Sequence, residues 1–365
     1  MTTTTTTTTM TSTTVNRTWS KTGMGMLQLR EAPVPEPGPD EAVLRTRLAT
    51  VCGSDLHFLH EFPMPRGVEQ VGMGHEAVGT VAALGENVRG FAVGDRVVAS
   101  CVVGCGECGN CLRGQLQACL VLGKVPGISN ALAGCQGDHF VVPRATINMA
   151  KVPEGLSDER ALLAGDVMST GFSAVERANV ETGDTVAIFA QGPVGLCATA
   201  GARMHGAGLV IAVEGVPERA ELAMRLGANV VVEPEGAVAR IRELTGKRGV
   251  DVAIEALGRQ ETFAAALECT RLDGTVSSVG VYAAHRSLDV PVGLGFYQRR
   301  IVTSLCPAGS DRLRRLFALA EHGPADLSQL FTHRMPLSAT DEAYELFGSR
   351  RDGVVKIALV PDGEA

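Results

Sequence analysis

The chain is poor in aromatic residues and has no excess of basic charge. Phe, Trp and Tyr together make up 4% of its 365 residues, so the sequence carries no stacking pattern for a particular ligand. Asp and Glu outnumber Lys and Arg by 40 to 33, which gives a formal net charge of -7. Because neutralising nucleic-acid phosphates requires clustered Lys and Arg, we expect no nucleic-acid partner.

Long apolar runs are also absent from the N-terminal region. The chain begins with a run of threonines and carries no apolar segment of the length that a signal peptide or a membrane helix requires. We therefore expect a cytoplasmic protein with no membrane partner. The Thr-rich leader, residues 1–16, has too little apolar surface to offset its ordering entropy and is predicted to be disordered.

Cysteine, by contrast, is plentiful, and four of the ten cysteines are closely spaced. Cys105, Cys108, Cys111 and Cys119 form a C-x2-C-x2-C-x7-C cluster in a glycine-rich stretch. Four thiolates on one tight turn can complete a tetrahedral shell around one Zn²⁺ and leave no position for substrate, so the spacing predicts a structural zinc site. Two alternatives are weaker: buried cysteines that act as small apolar residues, and disulfides, which nothing in the sequence favours without a mark of secretion.

Length and residue pattern predict two domains of different type. A chain of 365 residues is too long for one ordinary core. From residue 27 to about 153, short strand-like runs broken by Gly and Pro predict a β-rich domain with few helices. After residue 182, apolar strand runs alternate with helices, which predicts a parallel sheet covered on both faces, a doubly wound α/β domain. The strand-like segment 354–360 is a candidate to return to the first domain.

A glycine turn follows the first strand of the predicted α/β domain. The segment 190–195 reads A-Q-G-P-V-G, whereas the dinucleotide-binding fingerprint is G-x-G-x-x-G. Ala190 replaces the first glycine, and Gly192 and Gly195 occupy the other two places. With Pro193 and Val194 they begin a helix whose free N–H groups can hold phosphates. The turn alone is weak support for a nucleotide site, and its βαβ context strengthens it.

Glu214 ends the next strand, about twenty residues after the turn. An acidic residue there accepts hydrogen bonds from the adenosine ribose hydroxyls of NAD and repels a 2'-phosphate. The sequence therefore favours NAD(H) over NADP(H), although Arg219 nearby leaves NADP(H) open. The alternative is that Glu214 merely faces solvent at a strand end.

A second set of metal-ligand residue types lies in the β-rich domain. Cys52 begins the segment C-G-S-D-L-H, and His75 stands in G-H-E. A catalytic zinc needs only three protein ligands, because water or substrate takes the fourth position. Spacing alone does not join these two residues, since a lone Cys or His is more often a packed structural residue.

Five ordered motifs carry a family resemblance that covers about residues 27–360. They are C-G-S-D at 52–55, G-H-E at 74–76, the four-cysteine cluster, G-D at 165–166 and A-x-G-P-V-G at 190–195. This order resembles the zinc-dependent medium-chain dehydrogenase/reductase superfamily, the alcohol and polyol dehydrogenases. The segment 165–172 is most similar to bacterial secondary alcohol dehydrogenases, in which an aspartate is the third zinc ligand. That branch often lacks the four-cysteine lobe present here.

The resemblance implies a role for individual residues. Cys52, His75 and Asp166 would hold a catalytic zinc, with Glu76 beside it as an exchangeable group. Ser54 would bond the substrate oxygen and pass its proton to His57, whose ordinary pKa of about 6.5 suits proton transfer near neutral pH. Lys356 would lie near the cofactor phosphates. With the lobe, two Zn²⁺ per chain are expected.

The resemblance also implies a GroES-like catalytic domain at 17–168, a Rossmann NAD-binding domain at 169–308 and a return to the catalytic domain at 309–365. The expected activity is hydride transfer between NAD(H) and an alcohol or ketone, in a homodimer or homotetramer. The alternatives are a zinc-free quinone or enoyl reductase of the same superfamily and a non-catalytic nucleotide-binding relative. Residues 57–71, with 294, 296 and 297, are expected to line the substrate pocket. The remaining cysteines are expected to be buried packing residues: Cys101, Cys135, Cys197, Cys269 and Cys306.

Overall fold

The computed structural model describes residues 15–128, 134–283, 287–293 and 296–364. The predicted disordered leader lies outside this range except for Val15 and Asn16. Both belong to the first strand, so the prediction of disorder is wrong for these two residues. The side chain of Asn16 donates to the carbonyl oxygen of His139 and accepts from its N–H, which fixes the strand against a distant part of the chain.

The described residues form sixteen strands and eleven α-helices. The strands are β1 (Val15–Gly23), β2 (Met26–Pro33), β3 (Ala42–Thr50), β4 (Val71–Gly72), β5 (Ala77–Leu84), β6 (Arg96–Ala99), β7 (His139–Val142), β8 (Met149–Lys151), β9 (Thr185–Phe189), β10 (Leu209–Val213), β11 (Val230–Val232), β12 (Val250–Glu255), β13 (Thr270–Ser278), β14 (Arg300–Thr303), β15 (Phe331–Pro336) and β16 (Lys356–Val360). The helices are α1 (Gly53–Glu61), α2 (Gly109–Leu112), α3 (Ala145–Asn148), α4 (Asp158–Ala164), α5 (Val167–Ala178), α6 (Pro193–Met204), α7 (Pro217–Arg225), α8 (Ala237–Leu244), α9 (Gln260–Cys269), α10 (Ser310–His322) and α11 (Thr340–Ser349).

The second domain is built on a parallel sheet. Its strand order is β11-β10-β9-β12-β13-β14, and every neighbouring pair in the described part is parallel. The central strands are buried on both faces because helices cover them, which explains their continuous apolar sequence. The order reverses between β9 and β12, and in such sheets ligands bind at the carboxyl ends of the strands beside that reversal. The predicted doubly wound α/β domain is confirmed.

The first domain is built on a mostly antiparallel sheet. The described strands follow the order β15-β16-β3-β5-β6-β8, with β7 paired to β3, and a small antiparallel sheet has the order β2-β1-β4. The last strand, β16, pairs with β3, so the C-terminal segment joins the first domain's sheet. Few helices interrupt this domain in the described residues, and α1 and α5 carry site residues at their N-termini.

One of the apolar clusters continues across both domains. It includes Leu48 and Val98 of the first domain's sheet, Phe172 of α5, and Val186 and Ile188 of the second domain's sheet. Helix α5 packs against α6, and Asp166 is its N-cap residue. The junction between the domains therefore fixes the position of Asp166 relative to the glycine turn. No helix in the described ranges is both long and apolar enough to cross a membrane.

Candidate functional site

The four closely spaced cysteines come together in one lobe. Their sulfur atoms all lie within 4.8 Å of one another. The Sγ atoms of Cys105 and Cys111 are 3.9 Å apart, as are those of Cys108 and Cys119. None of the four forms a disulfide. The geometry matches the donor set of a closed tetrahedral zinc site, in which all four positions are taken by thiolate.

Backbone N–H groups of the lobe point at the same sulfurs. Cys105 and Leu122 donate to Cys119 Sγ at 3.2 Å, and Cys108 donates to Cys105 Sγ at 3.3 Å. Burial opposes ionisation of Cys119, but these N–H groups outweigh it and lower its pKa to about 5. Burial raises the pKa of Cys111 to about 12. The backbone therefore already stabilises thiolate at part of the lobe, as metal binding requires.

The second metal-ligand set is assembled from three separate segments. Cys52, His75, Glu76 and Asp166 each bring a donor atom within 4.8 Å of the others. Asp166 Oδ2 lies 3.3 Å from His75 Nε2 and 3.8 Å from Cys52 Sγ. Cys52 is the N-cap of α1, His75 precedes β5, and Asp166 is the N-cap of α5. Folding thus joins residues that spacing alone could not.

Two further side chains, which the sequence analysis missed, orient these donors. Asp55, fully buried, holds His75 Nδ1 at 2.8 Å and leaves Nε2 to face the cluster. Thr170, one turn into α5, donates to Asp166 Oδ1 at 3.0 Å. Carboxylate and hydroxyl partners of this kind fix the orientation of metal ligands. The i+4 spacing of Thr170 from Asp166 was visible in the sequence, whereas the 20-residue separation of Asp55 from His75 gave no signal.

The protonation states of the side chains in the cluster depend on one another. Burial alone would lower the pKa of His75, but Asp55 and Asp166 outweigh it and raise that pKa well above its ordinary value. Burial opposes ionisation of Asp166, yet the hydrogen bond and charge of His75 hold the pKa of Asp166 below its usual range. An imidazole must be neutral to bind a metal ion, so binding here would release a proton.

The donor chemistry of this cluster fits zinc. Thiolate, imidazole and carboxylate are the ligand types that Zn²⁺ takes. The cluster also holds a buried carboxylate oxygen, Glu76 Oε2, that has no hydrogen-bond partner among the described residues. Its other oxygen, Oε1, is 2.9 Å from Lys356 Nζ. An unpartnered buried oxygen is costly unless a cation or a polar group satisfies it, and a metal ion held by the neighbouring donors would lie beside it.

A cleft of about 320 Å³ opens beside Cys52 and reaches the glycine turn. Both members of the expected proton relay line it, Ser54 and His57. Ser54 Oγ is 4.0 Å from Cys52 Sγ, and His57, partly exposed, holds Glu61 Oε1 at 2.6 Å through Nδ1. The thiol of Cys52, a hydroxyl and an imidazole therefore line the same cleft as Gly192, Pro193 and Val194 of the glycine turn.

The turn itself shows why two of its glycines are needed. A side chain at Gly195 would clash with the carbonyl oxygen of Ala190, while the space around Gly192 is open to 4 Å. That open space is what a phosphate group requires to approach the backbone at the N-terminus of α6. Ala190 stands where the fingerprint has glycine and adopts φ +70°, a left-handed conformation that is unfavourable for residues with a Cβ.

Replacing Ala190 by glycine should therefore stabilise the protein. Relief of the left-handed strain outweighs the extra chain entropy that glycine gives the unfolded state, and we expect a gain of about 1 kcal/mol. Urea unfolding of Ala190→Gly against the parent chain measures it. Ala187→Gly, in the neighbouring strand β9, is the control and should destabilise. A destabilised Ala190→Gly would contradict the strain at this position.

Glu214 is buried beside the turn, so the alternative that it faces solvent is wrong. Its Oε2 accepts the N–H of Gln191 at 2.8 Å, and its Oε1 accepts the N–H groups of Gly215 and Val216 at 2.9 Å. The carboxylate is thereby fixed at the end of β10. Arg219 lines the cleft, donates to the carbonyl oxygen of Val354 at 3.1 Å, and has a buried Nε with no described partner.

Lys356, expected near the cofactor phosphates, lines the cleft that reaches the glycine turn, and its buried ammonium pairs with Glu76. Two expectations about the pocket lining need correction. Phe58 was expected to line the pocket, but it packs in the apolar core of the first domain. Tyr297, 85% exposed, is also absent from the cleft wall. Leu294, expected in the pocket, lies outside the described residues. The cysteines expected to be buried are buried, as predicted: Cys101, Cys135, Cys197, Cys269 and Cys306.

Comparison with protein families matches both domains. Residues 38–154 match the alcohol dehydrogenase GroES-like domain, and residues 193–322 match the zinc-binding dehydrogenase family. Together these matches cover most of the chain and include both cysteine-containing sites apart from Asp166, which lies between them.

Individual relatives agree with the family match. The chain is 40% identical over 364 residues to an alcohol dehydrogenase of Cupriavidus necator, covering 92% of this chain and 96% of that protein. It is 36% identical over 306 residues to the NADP-dependent isopropanol dehydrogenase of Thermoanaerobacter brockii, covering 82% and 86%. Among solved structures it is similar to alcohol dehydrogenase TADH from Thermus sp. ATN1, with a TM-score of 0.86, 33% identity and coverage of 94% and 99%.

Proposed function

The chain belongs to the zinc-dependent medium-chain dehydrogenase/reductase superfamily, and from this premise we propose that it is an NAD(H)-dependent oxidoreductase of small secondary alcohols and ketones. Its relatives establish the broader class, a zinc alcohol oxidoreductase. The cofactor choice, the substrate and the role of each residue are the proposal. One observation carries it: a cleft lined by the glycine turn and by Cys52, whose thiol belongs to the donor set that Cys52 forms with His75 and Asp166.

In this proposal Cys52, His75 and Asp166 hold the catalytic zinc, and Glu76 lies beside it. A Zn²⁺ bound there supplies Lewis-acid polarisation of the alcohol or carbonyl oxygen. Asp55 and Thr170 keep the imidazole and carboxylate turned toward the cluster. The buried Lys356 balances the carboxylate of Glu76, so that it can stay ionised in an enclosed setting. The four cysteines of the lobe hold a second, structural zinc.

Ser54 and His57 move the substrate proton. Ser54 Oγ, at the N-terminus of α1, accepts the hydroxyl proton of an alcohol in the cleft, and His57 passes it toward solvent. The partial exposure of His57 and its bond to Glu61 give the proton a route out. Carbonyl reduction uses the same groups in the opposite direction. The glycine turn and the residues lining the cleft would hold the nicotinamide cofactor, which would supply the hydride acceptor or donor for the substrate carbon.

A secondary alcohol fits the lining of the cleft. Apolar side chains, Leu56, Val167 and Val281 among them, line the cleft together with the hydroxyl of Ser54 and the imidazole of His57, a combination suited to orienting one hydroxyl on an apolar molecule. The isopropanol relative supports the same substrate class. A panel of propan-2-ol, butan-2-ol, primary alcohols and polyols, with NAD or NADP and followed by the absorbance of reduced nicotinamide, tests it. Faster turnover of polyols than of secondary alcohols would contradict it.

NAD(H) is proposed as the cofactor because Glu214 is a fixed negative charge. Three backbone N–H groups hold its carboxylate where the adenosine ribose is expected. A 2'-phosphate placed there would meet like charge. One relative is NADP-dependent, so the preference for NAD(H) over NADP(H) has to be measured on this chain.

Glu214→Arg should lower the ratio of kcat/KM for NAD to kcat/KM for NADP by roughly tenfold or more, since tenfold corresponds to only about 1.4 kcal/mol. The substitution also removes the hydrogen bond from the Gln191 N–H, which should lower kcat/KM for both cofactors. The ratio of the two kcat/KM values therefore reports on the charge at residue 214. Glu214→Gln, which removes the charge at similar size, should fall between the two. Glu233→Gln, at an exposed position near Gly215, is the matched control. An unchanged ratio in Glu214→Arg would contradict the ribose assignment.

A homodimer or homotetramer is proposed on the basis of the sheet edge. Strand β14 ends the parallel sheet, and three of its four residues are exposed, including Ile301. Leu305 and Tyr297 beside it are also exposed. An unpaired edge with apolar side chains is suited to pairing with a second copy. Light scattering measures the effect of Ile301→Lys on the mass of the oligomer, which should fall. A mass equal to that of the unmodified oligomer would contradict an interface at β14.

A further inference from the structure

Asp166 has a second group of neighbours that the proposed reaction does not use. Its Oδ2 faces His75 and Cys52. Its Oδ1 instead faces Cys101, whose Sγ is 3.4 Å away. Cys306 lies on the same side, with its thiol 3.6 Å from the backbone carbonyl oxygen of Asp166. The two oxygens of one carboxylate therefore belong to two different donor sets.

The three groups converge from distant segments. Cys101 follows β6, Asp166 begins α5, and Cys306 follows β14. One ligand atom from each, two sulfurs and a carboxylate oxygen, lies within 4.8 Å of the others. All three side chains are buried, with Cys101 2% and Cys306 4% exposed. The backbone N–H of Cys101 donates to the carbonyl of Gly165 at 3.2 Å, which fixes the thiol beside Asp166.

The surroundings of the two thiols are apolar. Cys101 and Cys306 pack with Val102 and Ala308, and Leu116 covers them from the lobe side. Asp166 is paired with His75 through Oδ2 and accepts a hydrogen bond from Thr170 at Oδ1, which leaves a second lone pair of Oδ1 on the side of the two thiols. A divalent cation bound there would offset two of the three negative charges that two thiolates and one carboxylate carry.

We propose that Cys101, Asp166 and Cys306 form a further cation site, selective for a thiophilic ion such as Zn²⁺ or Cd²⁺, which shares Asp166 with the catalytic donor set. Two thiolates and an oxygen are the ligands that such ions take, whereas Mg²⁺ and Ca²⁺ prefer oxygen alone. Binding of the divalent cation displaces one proton from each thiol, so two sulfur–metal bonds form and two protons are released. The inference rests on the proposed function only in that Asp166 also serves the catalytic site.

Cadmium titration of the full chain, stripped of metal, tests this site. We expect three equivalents of Cd²⁺ per chain, one for each donor set, measured by elemental analysis after gel filtration. The Cd²⁺ ion bound by Cys101 and Cys306 should add thiolate-to-cadmium charge-transfer absorption from two sulfurs to the absorption of the other two sites. Cys306→Ser should lose this one equivalent and this absorption. Cys269→Ser, which removes another fully buried thiol that bonds only Ala266, should keep all three.

Three outcomes would overturn the site. They are two equivalents in the unmodified chain, a third equivalent that adds no charge-transfer absorption, as for an ion on surface carboxylates, and a third equivalent that persists in both Cys306→Ser and Cys101→Ser. If those variants fail to fold, the absorption of the unmodified chain still decides.

Cys52→Ser separates this site from the catalytic one, since it should lose only the catalytic ion. Failure of alcohol oxidation in the zinc-loaded unmodified chain would count against the proposed function alone.

Discussion

Replacing His75 by alanine should abolish alcohol oxidation and remove one zinc per chain. His75 supplies the only imidazole of the catalytic donor set in the described residues. Without it Cys52 and Asp166 are the two proposed ligands that remain, fewer than the three that a catalytic zinc needs. Loss of Lewis-acid polarisation costs several kcal/mol of transition-state stabilisation, so kcat/KM should fall by roughly a thousandfold or more. Elemental analysis and initial rates with propan-2-ol and NAD measure both effects.

Two further variants keep this result interpretable. His205→Ala removes a half-buried imidazole that bonds the carbonyl of Gly201 at the end of α6, and it should keep the zinc content and the activity of the unmodified chain. Cys52→Ser changes a ligand with little change of volume and should reproduce the loss seen in His75→Ala. Full activity of His75→Ala with the same zinc content as the unmodified chain would refute the assignment of the catalytic site.

Replacing Cys111 by serine should instead remove the lobe zinc and reduce stability. Cys111 is buried within the four-sulfur cluster, and the binding free energy of a structural zinc is folding free energy. We expect the melting temperature to fall by on the order of 10 °C, with the catalytic zinc retained. Differential scanning calorimetry with elemental analysis measures this.

Chelation supplies the matching control. A strong chelator should lower the melting temperature of the unmodified chain by at least as much, whereas Cys111→Ser should respond less because its lobe has already lost the ion. Cys269→Ser, with the same exchange at a buried cysteine far from the lobe in sequence, should keep the zinc content of the unmodified chain. An unchanged melting temperature in Cys111→Ser, with one zinc lost, would show that the lobe ion contributes little to folding.

The periodic parts of the fold were predictable because their signals are local. Apolar runs at 77–84 and 209–213 predict strands, and β5 and β10 have these bounds. Helical patterns at 217–226 and 238–245 predict α7 to within one residue at its C-terminal end and α8 to within one residue at each end. The run at 274–280 predicts β13 less well, because the strand begins at Thr270, which pairs with Val250 across an irregularity in the register. Such a shift depends on the partner strand and leaves no local pattern.

Strand β1 was missed for a different reason. Its buried side chains include Asn16, Ser20 and Lys21, so its hydropathy does not resemble that of a core strand. Each polar group is satisfied at long range, as when Lys21 Nζ bonds the carbonyl oxygens of Phe58 and Phe62 at the end of α1. Burial of polar residues is acceptable only when such partners exist, and a sequence does not reveal them.

The candidate site also has a part that the sequence predicts and a part that it does not. The lobe cysteines are close in sequence, so their spacing alone predicted a site that the structure then brings together. Cys52, His75 and Asp166 are scattered, and only the family resemblance joined them. Asp55 and Cys101, which touch His75 and Asp166, were not predicted, since their role depends on tertiary contacts alone.

Transfer of deuterium from propan-2-ol labelled at C2 tests the central claim most directly. If the zinc-loaded protein moves hydride between a secondary alcohol and NAD, the reduced nicotinamide will carry one deuterium at C4, visible by NMR, while the hydroxyl proton goes to solvent. His75→Ala should give no labelled product. Reduced cofactor without deuterium, or no reduction by a chain that holds zinc in the Cys52, His75 and Asp166 site, would contradict the account.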